Sequence, residues 1–410
     1  MCVKLIISSD LTPTSPLHPI RCFSSKSKTT VSPRLFVAVT HIVNSKARTG
    51  VQTVVRGLIH GLRNSDMSLR LVRSRKWRDP FCSITAEHYQ RLEWDTPNEP
   101  YSRRDLAGAW LVVPEVIYNP RDHKMIRRAQ RLGMRVAAIF HDAIPVYEPG
   151  LVRREAARHH ADYLKLLATT DLLVAVSNTA AEQFRRFARE NALTAPPLRV
   201  CSLAAEMIGV PRPDLTIPAN ELVTVVCVST LDPRKNHKTL IDAFNIVCAS
   251  RPDLNIGLDL IGAPYKDASH VVRDVQQAAR ANPRIKWHGS VSVEALAEFY
   301  RQSDFTVYPS ILEGFGLPIL ESLWYRRPCV CANFGAMAEA AAGGGCLTTD
   351  VRDPQALAQS IVAVASDRAL RARLTTEIQH RHLKTWAEYG LEFRRLLEYS
   401  AAVQPPANPA

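Results

Sequence analysis

The chain has 410 residues and a mass of 45.7 kDa, more than one small core needs and enough for two domains of about 150 to 200 residues each. Hydrophobic residues make up 46% and charged residues 22%, with a mean hydropathy of −0.11, which excludes wholesale disorder, a collagen-like chain and a multi-span membrane protein. The 52 Lys+Arg against 39 Asp+Glu give a formal net charge of +13 and a pI near 9.5, a balance that invites nucleic acid, anionic membrane or phosphate-bearing ligands.

Residues 1–33 are Ser/Thr/Pro-rich with a single acid, Asp10, and their apolar run Val3 to Ile7, broken by Lys4, is too short for a signal sequence. They read as a poorly ordered N-terminal extension or an over-long start, a targeting role being the lesser reading. From Arg34 the pattern becomes orderly: Leu35 to Val43 is an apolar run of strand length, Asn44 to Gly50 a loop, and Val51, Val54, Val55, Leu58, Ile59 and Leu62 recur at helical spacing. Strand-then-helix units follow, with Arg135 to Phe140 ending at His141-Asp142, and Asp171 to Val176 ending at Ser177-Asn178 before a helix over Thr179 to Ala188. Repeated strand, loop and helix predicts a parallel α/β sheet.

The breaker-rich stretch Pro211 to Pro218 interrupts this alternation, which then restarts. Strands are expected at Leu222 to Val228, Ile256 to Ile261, Ile285 to His288 and Phe305 to Tyr308, and helices at Thr239 to Cys248 and Val293 to Gln302. The expected organisation is a Rossmann-like lobe over 34–215, a second doubly wound lobe over 216–385, a closing amphipathic helix over 386–403 and a disordered tail over 404–410. In open parallel sheets ligands sit at the carboxyl ends of strands, so the residues just after each strand are the candidates for chemistry.

Residues 1–200 hold 31 Lys+Arg and 17 Asp+Glu, residues 201–410 hold 21 and 22, so the positive excess belongs to the first lobe. No zinc-finger spacing, RNP-type aromatic strand or basic zipper accompanies it, which argues against nucleic acid. The nine cysteines form no CxxC pair, and several lie in apolar runs such as Val226-Cys227-Val228 and Pro328-Cys329-Val330-Cys331. They read as buried free thiols of a reducing compartment, and a lone CxC at Cys329 and Cys331 is poor evidence for a metal.

The most informative segment is Tyr308-Pro309-Ser310-Ile311-Leu312-Glu313-Gly314-Phe315-Gly316-Leu317-Pro318-Ile319-Leu320-Glu321. It leaves a strand, turns through two glycines and enters a helix with Pro318 expected at the first position. Gly314 and Gly316 let the backbone approach a ligand, and the free N–H groups at the helix start suit a phosphate. Glu321, expected in the first helical turn, is placed to accept hydrogen bonds from a diol such as a ribose, and Glu313 to hold sugar hydroxyls or a developing positive charge.

This segment resembles the paired-glutamate motif of the retaining, GT-B-fold family-4 glycosyltransferases. Val228-Ser229-Thr230-Leu231-Asp232-Pro233-Arg234-Lys235-Asn236-His237 is similar to that family's phosphate-binding loop, Arg48-Thr49-Gly50-Val51-Gln52 to its first-lobe loop, Phe140-His141-Asp142 to its acceptor-lobe histidine and Thr385-Trp386 to its closing signature. The resemblance covers about residues 34–400 and implies an α/β GT-B fold, two Rossmann-like lobes facing across a cleft. It also implies that Arg234 and Lys235 hold the donor diphosphate with help from the backbone of Gly50, and that Glu321 binds the ribose. Glu313 and the backbone of Gly314, Phe315, Gly316 and Leu317 would hold the sugar, which His141 would hydrogen-bond from the opposite lobe. Ser229 and Thr230 stand where many members have Gly and Arg, which shifts weight onto Arg234 and Lys235, and Met337-Ala338 replaces a commoner Pro-containing turn ahead of Glu339.

Bland readings stand beside these: a solvated turn for Arg234 and Lys235, helix capping for Glu313 and Glu321, an ordinary loop histidine for His141, and a cap for Asp142 in preference to a general base. The expected activity is metal-independent, retaining hexosyl transfer from a nucleotide sugar, with no cofactor and no metal site. The expected partners are the nucleotide-sugar donor and a lipid-linked oligosaccharide or polysaccharide acceptor. The similar Pro-Arg-Lys-Asn-His loop of bacterial mannosyltransferases of exopolysaccharide and lipopolysaccharide assembly points to GDP-mannose, with UDP-sugars and other GDP-sugars open. Attack from the face the diphosphate leaves is set against a covalent intermediate on Glu313. Arg70, Arg73, Arg75, Lys76 and Arg78 around Trp77, and Lys124, Arg128, Arg131 and Arg135 at near-helical spacing, are expected to form either a solvated surface or a face for anionic lipid. The latter implies a peripheral protein on the cytoplasmic face of a membrane. A GT-B nucleotide-sugar epimerase and an inactive GT-B-like binding subunit are the alternatives, and an NAD-dependent enzyme is disfavoured because no GxGxxG follows an early strand.

Overall fold

The computed structural model describes residues 34–45, 49–63, 67–74, 81–92, 94, 101–152, 154–214, 221–265 and 268–403. The extension 1–33, the tail 404–410, Arg48, the residues either side of the 215/216 boundary and the Arg75 to Arg78 cluster lie outside that set. The first sheet holds β1 (Leu35–Ala38), β2 (Leu69–Arg73), β3 (Cys82–Ser83), β4 (Trp110–Val113), β5 (Arg135–Phe140), β6 (Leu172–Ala175) and β7 (Leu198–Val200). Their order is β3-β2-β1-β4-β5-β6-β7, all parallel except the β2–β3 pair at the edge. Helices α1 (Gly50–Arg63), α2 (Ala86–Arg91), α3 (Pro120–Arg131), α4 (Ile144–Tyr147), α5 (Arg154–Leu167) and α6 (Asn178–Glu190) belong to this lobe.

The second sheet holds β8 (Val223–Val228), β9 (Ile256–Ile261), β10 (Ile285–Trp287), β11 (Phe305–Tyr308), β12 (Cys329–Ala332) and β13 (Cys346–Thr349), parallel throughout in the order β10-β9-β8-β11-β12-β13. Its helices are α7 (His237–Ser250), α8 (Ser269–Ala281), α9 (Val293–Gln302), α10 (Leu317–Trp324), α11 (Gly335–Ala341), α12 (Pro354–Ser366) and α13 (Arg368–His380), and α14 (Trp386–Val403) follows. Strands such as Trp-Leu-Val-Val in β4 and Leu-Leu-Val-Ala in β6 are buried along their whole length, because helices cover both faces and leave no solvent side for alternation. The strand order reverses between β1 and β4 in one sheet and between β8 and β11 in the other, and crevices for ligands open at such points.

The first expected strand is shorter than its apolar run. β1 stops at Ala38, and Ile42–Asn44 forms a 3₁₀ turn, because the buried Glu115 carboxylate draws in the His41 and Ile42 N–H groups at 3.1 and 2.6 Å. The basic stripe also differs from expectation. Arg70 is a β2 residue buried over the Phe36 ring, and Arg135 starts β5 and lies over Trp110, so neither belongs to an exposed helix face. Among the described side chains of α3, Lys124, Arg127 and Arg131 are exposed and Arg128 is half-buried.

Helix α14 returns to the first lobe. Trp386, Tyr389, Phe393 and Leu397 are buried in that lobe's core, while the Trp386 indole donates to the Glu206 carbonyl at 2.9 Å. Two glycines admit the contact: a Cβ on Gly57 would lie 2.1 Å from the Trp386 ring, and one on Gly61 2.0 Å from the Trp386 carbonyl. Trp386→Ala removes the largest side chain in this seam and should lower unfolding free energy by about 3–5 kcal/mol, read as a shift of the urea midpoint.

Candidate active site between the two sheets

The β8 strand ends at Val228, and the chain turns through Ser229 to Asp232 into a 3₁₀ turn over Pro233–Lys235. Asp232, almost fully buried, accepts the Arg234 N–H at 3.0 Å and pairs with the Arg234 guanidinium at 3.1 Å. Asn236 takes the left-handed conformation (φ 56°) and opens α7. Burial disfavours the Arg234 charge, but Glu313 and Asp232 outweigh it and hold the guanidinium more firmly protonated than usual.

The neighbouring strand β11 ends at Tyr308 and releases the double-glycine segment. Its Ile311 N–H binds the Arg234 carbonyl at 2.9 Å, which locks the two loops side by side. Glu313 then meets Lys235: the ammonium donates to the Glu313 carboxylate and, at 2.9 Å, to the Tyr308 hydroxyl. The same carboxylate oxygen accepts Tyr308 Oη–H at 2.7 Å and Ser310 Oγ–H at 2.6 Å. Burial pushes the Glu313 carboxyl up, yet the Lys235 and Arg234 charges prevail and hold it below its ordinary value. The two opposite charges lie at about 12–13% exposure, where loss of either partner would leave the other desolvated and unpaired.

Gly316, at φ 112°, precedes α10, whose first residue is Leu317. Pro318 is therefore the second helical residue, and Glu321 lies in the second turn instead of the first. Tyr300, fully buried and stacked on Tyr325 at 5.2 Å, donates to Glu321 at 3.0 Å. Burial raises the Glu321 carboxyl despite that bond.

From the first lobe, His141 follows β5 and is nearly buried, its Nε2–H donating to the Pro114 carbonyl at 2.8 Å. Burial disfavours the imidazolium, so the ring is neutral and Nδ1 is its acceptor. Asp142 accepts the Ile144 N–H at 3.0 Å, a local cap. The His141 carbonyl meets Gly314 so closely that a Cβ there would lie 2.0 Å away. Gly50, the first residue of α1, faces Leu317, whose Cδ1 would lie 3.7 Å from a Cβ placed there, an ordinary van der Waals contact. Phe315 and Leu317 pack on the first lobe's core. The structure thus brings His141, Gly50, Arg234, Lys235, Glu313, Gly314, Phe315, Gly316, Leu317 and Glu321 to facing ends of the two sheets. Among the described residues no group of three or more His, Cys, Asp or Glu is arranged to hold a metal ion.

Residues 214–381 match the family described as glycosyl transferases group 1. This region is a glycosyl transferases group 1 domain. The group 1 domain contributes both loops of the site, from Asp232 to Glu321, and the preceding lobe contributes His141 and Gly50. A serotype-specific mannosyltransferase, WbdA, from Escherichia coli is 24% identical over 327 residues, covering 75% of this chain and 40% of WbdA, so the chain spans well under half of that relative. Sucrose-phosphate synthase from Thermosynechococcus elongatus superposes with a TM-score of 0.67 at 18% identity, covering 91% of this chain and all of that one. Anabaena HepE, solved with UDP and glucose, gives 0.64 at 15% identity over 90% of this chain and all of its own. The fold is GT-B.

Several residues around the group 1 domain's site carry contacts that sequence reasoning did not assign. Tyr308 and Ser310 complete the Glu313 cluster, Asp232 anchors Arg234, and Tyr300 anchors Glu321. In the first lobe, His41 Nε2 pairs with the buried Asp122 at 3.1 Å, and Ser74 donates to the same carboxylate. The Asp122 hydrogen bond raises the His41 pKa against the effect of burial. Tyr118 and Asp142 flank His160, whose two ring nitrogens lie 3.0 Å from the Tyr118 hydroxyl and the Asp142 carbonyl. Ser229, one of the two departures from the family pattern, binds His237 Nε2 at 3.0 Å.

His237 gives a pH signature. Burial, then the Lys235 charge, lowers its pKa to about 4, and among the described residues its Nδ1 has no hydrogen-bond partner. An unfolded histidine near 6.5 takes up a proton that the folded one refuses, so this contribution is intact above pH 6.5 and lost as pH falls toward 4. The loss amounts to about 3 kcal/mol across that window, and a flatter urea-midpoint profile in His237→Asn than in the wild type is the expected result.

Proposed function

We propose that the protein is a retaining hexosyltransferase that moves mannose from GDP-mannose to a lipid-linked oligosaccharide or polysaccharide acceptor without a metal. The observation that carries this reading is the Lys235–Glu313–Tyr308–Ser310 cluster beside Arg234, at the β8/β11 reversal and facing His141. Arg234, Lys235 and the N–H groups at the start of α10 supply positive potential for a leaving diphosphate. Neutral His141, anchored through Nε2–H, offers Nδ1 to a sugar hydroxyl. Glu321, fixed by Tyr300, retains an oxygen for a ribose.

The acceptor hydroxyl attacks from the face the diphosphate vacates, and its proton passes to the departing phosphate oxygen. Glu313 favours this over a covalent route, because a carboxylate oxygen already accepting from an ammonium and two hydroxyls is a weakened nucleophile. The mannose and GDP assignments rest on the likeness to WbdA and to the Pro-Arg-Lys-Asn-His loop. The basic first lobe, with Lys124, Arg127 and Arg131 exposed on α3, suits anionic headgroups on the cytoplasmic face of a membrane. Among the described residues no helix is long and apolar enough to cross one. Thermal-shift titration with GDP, UDP and ADP tests the donor: GDP alone should raise the melting temperature strongly, whereas equal responses or selective stabilisation by UDP would overturn the guanine assignment.

A further inference from the structure

Helix α11 sends one side chain out of its own lobe. The half-buried Glu339 carboxylate accepts four hydrogen bonds from the start of α6 in the first lobe: Asn178 N–H at 2.8 Å and Nδ2–H at 2.9 Å, Thr179 N–H at 3.0 Å and Oγ1–H at 3.1 Å. The start of a 13-residue helix concentrates unpaired N–H donors and the positive end of its dipole, so an anion there makes charge-assisted bonds stronger than neutral ones. The preceding residue, Ser177, is fully buried and caps α6 by accepting the Ala180 N–H at 2.9 Å. Its hydroxyl proton goes to the Gly314 carbonyl at 2.6 Å, inside the double-glycine segment. Gly314 in turn sits flush against the His141 carbonyl.

These contacts form one continuous link, from Glu339 through the start of α6 and Ser177 to Gly314 and His141. The four hydrogen bonds of Glu339 go to Asn178 and Thr179, neither of which is assigned to donor binding. We infer that Glu339 is a positioning residue, a carboxylate clasp on α6 that holds the two lobes at the separation where the Gly314 loop and His141 act together. The inference rests on the reading of that loop as the donor-sugar site. The clasp sets the population of the closed arrangement, so its removal taxes each step that needs both lobes by the fraction still closed. Binding of a nucleoside diphosphate to Arg234 and Lys235, which lie in one lobe, escapes that tax.

The test uses the full chain with Glu339→Ala, Thr179→Val and the double variant. Three quantities are read: the radius of gyration by small-angle scattering, the dissociation constant for GDP, and the turnover of GDP-mannose with water as acceptor. Glu339→Ala should enlarge the radius of gyration and lower turnover about tenfold through kcat, with GDP affinity within about twofold of wild type and the melting temperature little changed. Thr179→Val should do the same more weakly, and the double variant should be no worse than Glu339→Ala alone. Unchanged dimensions and turnover in Glu339→Ala would overturn the inference, as would losses that multiply in the double variant or a parallel fall in GDP affinity. If wild type neither binds GDP nor turns over GDP-mannose, the donor assignment fails, and the scattering comparison alone then decides the clasp.

Discussion

Glu313→Gln is expected to lower turnover by about 10²- to 10³-fold, the cost of removing one placed electrostatic group from a desolvated site. The variant has a second signature. Glutamine still accepts from Tyr308 and Ser310, but Lys235 keeps its charge at 13% exposure without a counter-charge. Breaking one side of a buried pair costs about 3 kcal/mol or more, so the ligand-free variant should melt earlier. A diphosphate replaces the missing negative charge beside Lys235 and Arg234. Saturating nucleoside diphosphate should therefore stabilise Glu313→Gln by more than it stabilises the wild type, measured by differential scanning calorimetry with and without ligand. Equal increments would mean that Lys235 does not meet the phosphates.

Gly314→Ala acts by geometry alone. The added methyl would sit 2.0 Å from the His141 carbonyl oxygen and 3.1 Å from the Asp142 Cβ, and the nearest obstacle is backbone, which cannot swing aside. Either the loop or the end of β5 must move. A displacement of about 1 Å at a reacting centre costs on the order of 10² in rate, so turnover should fall by at least that factor. The Asp232 to Asn236 turn is untouched, and affinity for the nucleoside diphosphate should survive in calorimetric titration. A variant that lost nucleotide affinity and turnover in proportion would place Gly314 in phosphate binding instead.

The residue types of the site were legible in the sequence because local chemistry demands them: two glycines with a proline at a helix start, cations after a buried strand, a histidine after another. Their pairing was not. Lys235 and Glu313 are 78 residues apart, and nothing local says that β8 and β11 are neighbours. Ser177 and Gly314 are 137 apart and Glu339 and Asn178 161 apart, so Glu339 could not be read as a contact with the other lobe. The fold class followed from alternating strand and helix patterns, whereas the early end of β1 depended on the Glu115 carboxylate arriving from beyond β4. Arg70 and Arg135 counted toward a basic surface until burial over Phe36 removed the first and a half-buried place over Trp110 at the start of β5 the second. Composition records that an arginine is present, and only packing records which way it faces.

Proton NMR of the glycoside formed from an α-linked nucleotide sugar bears most directly on the central claim. Turnover of GDP-mannose to an α-mannoside with release of GDP is the predicted result. A β-linked product, or the absence of turnover with every GDP- and UDP-sugar offered, would contradict it.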